Sequence, residues 1–124
     1  MSKNNRDDFD QCTALVFDLL YKAFPKETDI AVDDFSVPLD ENSTDNYFAS
    51  IRFLQREGLI RYQEFYYSTF KGSVLTAKGL SVLDTQSEAS AFNETVVQQL
   101  SHALNDKKEK AIKTVVQEII KQSV

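Results

Sequence analysis

The residues best suited to bind a ligand lie in one stretch, REGLIRYQEFYYSTFKGSVLTAKGL, which runs from Arg56 to Leu80 and mixes basic, aromatic and glycine residues. The chain has 124 residues and a net charge of −5, yet residues 46–80 hold five Lys or Arg against two Asp or Glu. Nucleic-acid phosphates bind clustered Lys and Arg side chains. Because an acidic protein repels polyanions, any binding to nucleic acid has to use this local basic face.

The aromatic residues of the same stretch can either bind nucleic-acid bases or pack within the protein. Exposed rings can stack on single-stranded bases, whereas in most proteins such residues pack across strands and against the core. Packing is the commoner use, and it is our interpretation of this cluster, which consists of Phe65, Tyr66, Tyr67 and Phe70.

No catalytic or metal-binding pattern can be assembled from the sequence. His102 is the only histidine, and no cysteine or carboxylate stands at metal-ligand spacing from it, so we interpret it as a solvated helix residue. The acidic segment 40–51 lacks the glycine and the final glutamate of a calcium loop. A Gly-rich phosphate loop, a Ser-His-Asp set and paired catalytic carboxylates are also missing. We predict that the protein is not an enzyme and needs no cofactor and no metal.

The length and composition indicate one globular domain, because 42% hydrophobic and 27% charged residues are ordinary values for such a chain. The single cysteine, Cys12, cannot form an intramolecular disulfide, and the helical pattern places it on a buried face. The first residues lack the apolar core of a signal peptide, and no apolar run approaches the roughly 18 residues that span a bilayer. We therefore expect a cytoplasmic protein with no membrane segment.

Two amphipathic helices and a short strand are predicted before Gly58. Apolar residues at three- and four-residue spacings predict the first helix, from Phe9 to a stop before Pro25. Ile30 and Val32 alternate with their neighbours as in a short strand, and before the break at Pro38 there is room only for this strand and one helical turn. The second helix has Ser43 and Thr44 as capping candidates, ends at Gly58, and carries one apolar side made of Tyr47, Phe48, Ile51 and Leu54.

The sequence LIRYQEFYYSTFKGSVLT predicts a β-hairpin, because it is rich in β-branched and aromatic residues. Balanced arms place the tip near residues 64–67. Gly72 then falls inside the second strand, where it marks a bulge or a close approach of another group. Thr76 is expected to cap a short helix with the sequence AKGLSVLD.

The remaining residues predict two helices, over 87–105 and 106–124. Phe92 and Val96 begin the apolar side of the first. The apolar stripe of the second is wide enough to require a partner surface. That surface is either the domain's own core or a second copy of the chain, and we expect a homodimer with the stripe as its interface, made of Ile112, Val115, Val116, Ile119 and Ile120.

A helix that ends in FLQREGLIRY, a two-stranded arm and then LTAKGL resembles the winged-helix transcription regulators of the MarR and PadR type. The resemblance covers about residues 9–84. It implies an α+β, mainly helical fold. Residues 1–84 would form a winged helix with a two-stranded β-hairpin wing, and residues 85–124 would add C-terminal helices, within a single compact domain.

In such regulators, the helix before the Gly-Leu-Ile turn and the wing contact double-stranded DNA. The resemblance therefore implies contacts from the matching positions of this chain, which are Asn46, Arg52, Arg56, Arg61 and Lys71. Asp45 at the start of that helix would repel a phosphate, and the expected wing tip carries Glu64 and no arginine. Two functions follow: a DNA-binding transcriptional regulator, or a winged-helix module that binds a protein partner without binding DNA.

Overall fold

The computed structural model describes residues 4–35, 37–88 and 90–124. It confirms the α+β, mainly helical class, since 59% of the described residues are helical and the strands form one small antiparallel sheet. The helices are α1 (Asn5–Ala23), α2 (Glu41–Arg56), α3 (Ala77–Asp84), α4 (Val96–Asn105) and α5 (Glu109–Gln122). The strands are β1 (Thr28–Ala31), β2 (Ile60–Arg61), β3 (Glu64–Tyr66) and β4 (Thr69–Leu75), and a 3-10 turn covers Val32–Asp34.

Helix α1 is the central element, because α2, α4 and α5 all pack against it. It begins with a capping box, in which Asn4 accepts from the backbone N–H of Asp7 and the Asp7 carboxylate accepts from the N–H of Asn4. It ends at Ala23, before Pro25, as the sequence predicts. Cys12 lies fully buried on its inner side.

Helix α2 begins earlier than the sequence pattern indicates. Its N-cap is Asp40, whose carboxylate accepts from the backbone N–H of Ser43 at 2.8 Å. The prediction that Ser43 or Thr44 caps the helix is therefore wrong, because Asp40 accepts a hydrogen bond from the free N–H of Ser43 and so takes the N-cap position. The predicted stop is confirmed at Gly58, which has a left-handed φ of +77°.

Strand β4 is the centre of the sheet, with β1 on one side and both β2 and β3 on the other, all antiparallel. The hairpin turn consists of Tyr67 and Ser68, so the tip lies beyond most of the predicted 64–67 segment, and Glu64 is a strand residue opposite Lys71. Gly72 lies in β4 with a φ of +66° beside a register shift of β1. The predicted bulge is therefore confirmed.

Helix α3 has the predicted cap, since Thr76 Oγ1 accepts from the backbone N–H of Gly79 at 3.0 Å. Helix α4, in contrast, starts at Val96 and not near residue 87, because Thr95 forms a capping box with Gln98. Phe92, predicted to lie on the apolar side of this helix, stands before its first residue and is 86% exposed.

Helix α5 packs into the core of its own chain. Its contacts are with α1 and α4, and the side chains of Ile112, Val115, Val116 and Ile119 are buried there, while Ile120 is partly buried. The prediction that this stripe is a dimer interface is therefore wrong in this structure. The apolar stripe of α5 is already covered by α1 and α4 of the same chain.

A polar cluster fixes α5 on the start of α1. Lys113 Nζ lies 3.1 Å from Asp7 Oδ1 and 3.0 Å from Asp10 Oδ2, and Arg6 Nε lies 3.1 Å from Asp10 Oδ1. Hydrogen bonds to Asp10 and then Asp7 raise the pKa of Lys113. The buried carboxylate of Asp10 is thereby bonded on both oxygens, which is how a protein tolerates such a group.

Candidate binding face

We define the α2–wing face as the exposed side of α2 together with the β2–β3–β4 segment that follows it. All five predicted DNA-contacting residues lie on these elements. Within the described residues, none of the helices has the length and apolar content needed to cross a bilayer. The same residues contain no cluster of three or more His, Cys, Asp or Glu placed to hold a metal ion.

Arg52 connects α2 to the wing. Its guanidinium lies 5.0 Å from the ring centroid of Phe65, within the range of a cation–π contact. Phe65 in turn packs against Phe48 on α2, at 5.1 Å between ring centroids, and against Phe70 on β4, at 4.5 Å. The positive charge of Arg52 is thus held at the junction of the helix and the hairpin.

Arg56 and Arg61 are the most available cations of the face. Both are exposed, and in the described part of the chain neither has a carboxylate within ion-pair distance. Lys71 differs, because Asp29 lies 3.8 Å away and Glu64 is its cross-strand neighbour. The wing therefore offers less positive charge than its sequence indicates.

Asn46 is committed to the packing of α1 on α2. Its Nδ2 donates to Asn5 Oδ1 and to Asp8 Oδ2, both at 2.9 Å. Asp8 is 2% exposed, so losing this donor would leave a buried carboxylate poorly bonded. In the free chain both amide hydrogens of Asn46 are thus engaged, and a contact of Asn46 with DNA stays a prediction.

The first half of α2 is acidic on its exposed side. Asp40 caps the helix, and Glu41 and Asp45 are exposed near its start. Carboxylates there are stabilised by the helix dipole, but they repel a phosphate or the edge of an electron-rich base. Arg52 and Arg56 lie in the second half, so the charge changes sign along the helix.

The wing aromatics do not all pack, as the sequence interpretation expects. Phe70 is fully buried and Phe65 is 38% exposed, whereas Tyr66 is 52% and Tyr67 84% exposed. The Tyr66 and Tyr67 rings contact mainly each other, with centroids 4.3 Å apart. The packing interpretation holds for Phe70 and is wrong for Tyr67.

The tip of the wing is built from unfavourable turn residues. Tyr67 and Ser68 have φ values of 49° and 59°, and a two-residue hairpin turn with two positive φ values favours Asn-Gly. Side chains with a Cβ are strained in this region. The wing tip therefore combines an uncommon backbone conformation with a tyrosine ring that is 84% exposed.

The buried titratable groups take no part in this face. Burial raises the pKa of the Cys12 thiol, and burial likewise raises that of the Tyr47 hydroxyl. Cys12 Sγ lies 3.6 Å from the Tyr47 carbonyl oxygen, inside the contact of α1 with α2. A thiol held protonated in this way is a poor nucleophile.

No family model, curated protein or solved structure matches this chain.

Proposed function

We propose that this chain is a winged-helix protein that binds another protein through the α2–wing face. The order of the elements supports the winged-helix arrangement: a helix, a short strand, a helix and a hairpin, with β1 paired to the second hairpin strand. The segment before α2 departs from the winged-helix arrangement. The described residues between Ile30 and Ser43 form only a 3-10 turn before α2, where a helix-turn-helix pair has its first helix.

The observation that carries protein binding is the composition of the exposed surface. Tyr and Arg are the residue types most enriched among the dominant contacts of protein interfaces, and Tyr66, Tyr67, Arg52 and Arg56 all lie on this face. The uncommon backbone conformation of Tyr67 supports a binding role for its ring, because such residues cluster at functional sites. The acidic start of α2 and the hydrogen bonds of Asn46 within the chain favour protein binding over the reading of bases by this helix.

Binding to double-stranded DNA is the second candidate, and the exposure of Arg56 and Arg61 favours it. With so few free cations per copy, affinity would require two copies about one DNA turn apart. A homodimer and a cytoplasmic location remain predictions, and the dimer surface has to differ from the α5 stripe.

The test of protein binding uses two variants of the hairpin turn that differ in one respect. Tyr67→Asn removes the ring and places at that position a residue that tolerates positive φ, whereas Ser68→Gly relieves strain at the neighbouring turn residue and keeps the ring. Both should fold at least as well as the wild type. We expect a partner captured by the wild type and by Ser68→Gly, then confirmed with purified components, to be lost with Tyr67→Asn.

Two results would contradict the proposal. One is a partner that binds Tyr67→Asn as tightly as the wild type. The other is duplex DNA binding whose affinity falls with salt at a log-log slope near −0.9 per phosphate contact, and that the double change Arg52→Ala with Arg56→Ala abolishes. The second result would establish the DNA-binding candidate. Absence of duplex binding at about 50 mM salt would remove that candidate.

A further inference from the structure

The exposed side of α2 changes the sign of its charge along the helix, and we call this side, from Glu41 to Arg56, the α2 stripe. Glu41 and Asp45 are exposed at its start, and no Lys or Arg of the described chain lies within ion-pair distance of them. At its end, Arg52 and Arg56 likewise have no carboxylate partner among the described residues. Arginines four residues apart on a helix repel each other, so a bound anionic group stabilises this end.

Neighbouring charges leave this pattern in place. Asp40 caps the helix, and the 3-10 turn that contacts α2 adds two more exposed carboxylates, so the start is acidic throughout. At the end, Glu57 is exposed beside Arg56, but the Lys78 ammonium lies 3.2 Å from the Glu57 carbonyl oxygen and supplies a further cation. With Arg52 and these neighbours counted, the end of the stripe has three cations against one carboxylate.

A groove of about 450 Å³ lies beside the middle of the α2 stripe, between α1 and α2. Ala49, Phe53 and Phe9 form its apolar part. Phe53 is 41% exposed, and its ring stands edge-on against Phe9 with centroids 5.5 Å apart, so the two rings form one wall. Arg6 also lines the groove, but Asp10 lies 3.1 Å from its Nε and offsets its charge.

The polar residues that complete the groove already bond within the chain. Asn46 Nδ2 donates to Asn5 and Asp8, and Ser50 Oγ donates to the Asn46 carbonyl oxygen at 2.7 Å. A ligand therefore gains little by competing for these groups. What the groove offers instead is the surface of two aromatic rings and the methyl group of Ala49, which suits an apolar side chain.

We propose that the partner bound by the α2–wing face docks an amphipathic helix along the α2 stripe, an inference that rests on the protein binding proposed above. The partner helix carries carboxylates where it meets Arg52 and Arg56, and Lys or Arg where it meets Glu41 and Asp45. Between them, one large apolar side chain enters the groove over Ala49. The small side chain of Ala49 lets the two helices approach closely, and the charges fix the direction of the partner helix.

Two other occupants match only part of this surface. The α2 stripe of a second copy, turned end to end, would match the charges, but its one large apolar residue is Phe53, which is packed on Phe9 as the wall of its own groove. Duplex DNA would match the arginines, but Glu41 and Asp45 repel its phosphates. A partner helix with both charges and a free apolar side chain matches the whole stripe.

The first test selects ligands from a phage-displayed library of random peptides that have the length of α2, 16 residues. The immobilised wild-type chain should enrich peptides with Asp or Glu toward one end, Lys or Arg toward the other and a large apolar residue between. The variant Arg52→Glu with Arg56→Glu should enrich peptides without the acidic end, because the reversed charges repel it. Circular dichroism checks folding, and Arg56→Glu alone, at an exposed position, replaces the double variant if that variant unfolds.

The second test measures the charges with a synthetic peptide from the wild-type selection. Its affinity, measured by fluorescence anisotropy, should fall about 10-fold or more with Arg52→Glu plus Arg56→Glu. Replacing the acidic residues of the peptide by lysine should restore binding to this variant. The matched control is Lys110→Glu with Lys121→Glu, which reverses two exposed cations of α5 and should bind the original peptide like the wild type.

The third test measures the groove with the same peptide. Ala49→Phe places a ring in the groove and should weaken binding about 10-fold or more, because the apolar side chain of the peptide loses its site. Gln55→Phe is the control, since residue 55 is exposed on the same helix but lies about 240° around it from Ala49. This variant should bind like the wild type.

Several results would overturn the inference. The wild type could enrich no peptides beyond those of the double variant, or the peptide could bind both equally. Duplex DNA binding that Arg52→Ala with Arg56→Ala abolishes would assign the arginines to DNA, and a wild-type dimer that Arg52→Glu with Arg56→Glu dissociates would assign the stripe to a second copy. A partner that needs Tyr67 but neither arginine would overturn this inference and leave the proposed protein binding standing, so the two failures are distinguishable.

Discussion

Replacing Gly79 by alanine should destabilise this protein, although the same change at most helical positions is stabilising. At an ordinary position in a helix, alanine is favoured over glycine by about 1 kcal/mol. Gly79 lies in the first turn of α3, where a Cβ atom would collide with the carbonyl oxygen of Leu59. The sign of the effect therefore depends on whether that carbonyl can move.

The Leu59 carbonyl has little freedom to move away. Its oxygen accepts from the backbone N–H of Thr76 at 3.1 Å, and the N–H of Leu59 donates to Leu54 O at 3.0 Å. Thr76 Oγ1 also donates to Gly58 O at 2.6 Å. Relief of the collision requires α3 to shift and these bonds to lengthen, and overpacking of this kind costs about 1 to 3 kcal/mol.

The assay is equilibrium unfolding in urea, followed by circular dichroism. Gly79→Ala should lower the free energy of unfolding by about 1 to 3 kcal/mol. Ser81→Ala is the matched control, since residue 81 is an exposed position of the same helix, and its effect should stay within about 0.5 kcal/mol. A Gly79→Ala variant as stable as the wild type or more stable would show that α3 does not approach the Leu59 carbonyl this closely.

Three further predictions concern the core. Leu54→Ala should cost about 2 to 5 kcal/mol of unfolding free energy, since Leu54 is fully buried, and a loss under about 0.5 kcal/mol would mean that α2 packs through another side. Ile119→Glu should prevent folding, because it buries an unpaired charge. Ile120→Glu changes a partly buried position and should leave a protein that is folded by circular dichroism. Equal effects of the two variants would refute the assignment of Ile119 to the buried side of α5. Because burial raises the pKa of Cys12, the native thiol keeps its proton above about pH 8.5, whereas the unfolded thiol releases it. The free energy of unfolding should therefore fall with rising pH, by up to about 1.4 kcal/mol per pH unit. Urea unfolding between about pH 7 and 9.5 should show a shallower fall for Cys12→Ala, and identical slopes would contradict this account.

The helices were the most predictable part of the fold, because their apolar stripes identify a buried side without any knowledge of the partner. The first residue of a helix was harder to predict where several neighbouring residues could act as its N-cap. Asp40 and Ser43 are both good caps, and only the backbone geometry selects Asp40. Phe92 stands at helical spacing from Val96, yet the capping box at Thr95 starts the helix after it.

The candidate site was less predictable, because its chemistry depends on contacts between distant segments. Asn46 has the right residue type for reading bases, but Asn5 and Asp8, about forty positions earlier, occupy its donors. The charge of Lys71 is offset by Asp29, which no local pattern links to it. The hairpin tip was predicted near residues 64–67 and lies at Tyr67 and Ser68, because neither residue is of the type that such a turn favours.

The packing of α5 on α1 has a consequence for the order in which the protein can be assembled during synthesis. Helix α1 emerges from the ribosome before α5, and the core residues of α5 that cover it, Val116 and Ile119 among them, are translated about a hundred residues later. Until then, the side of α1 that packs on α5 stays open to water or to a chaperone. The nascent chain therefore closes its core late, through one of its longest-range contacts, and a stalled or shortened product lacking α5 becomes a substrate for proteolysis.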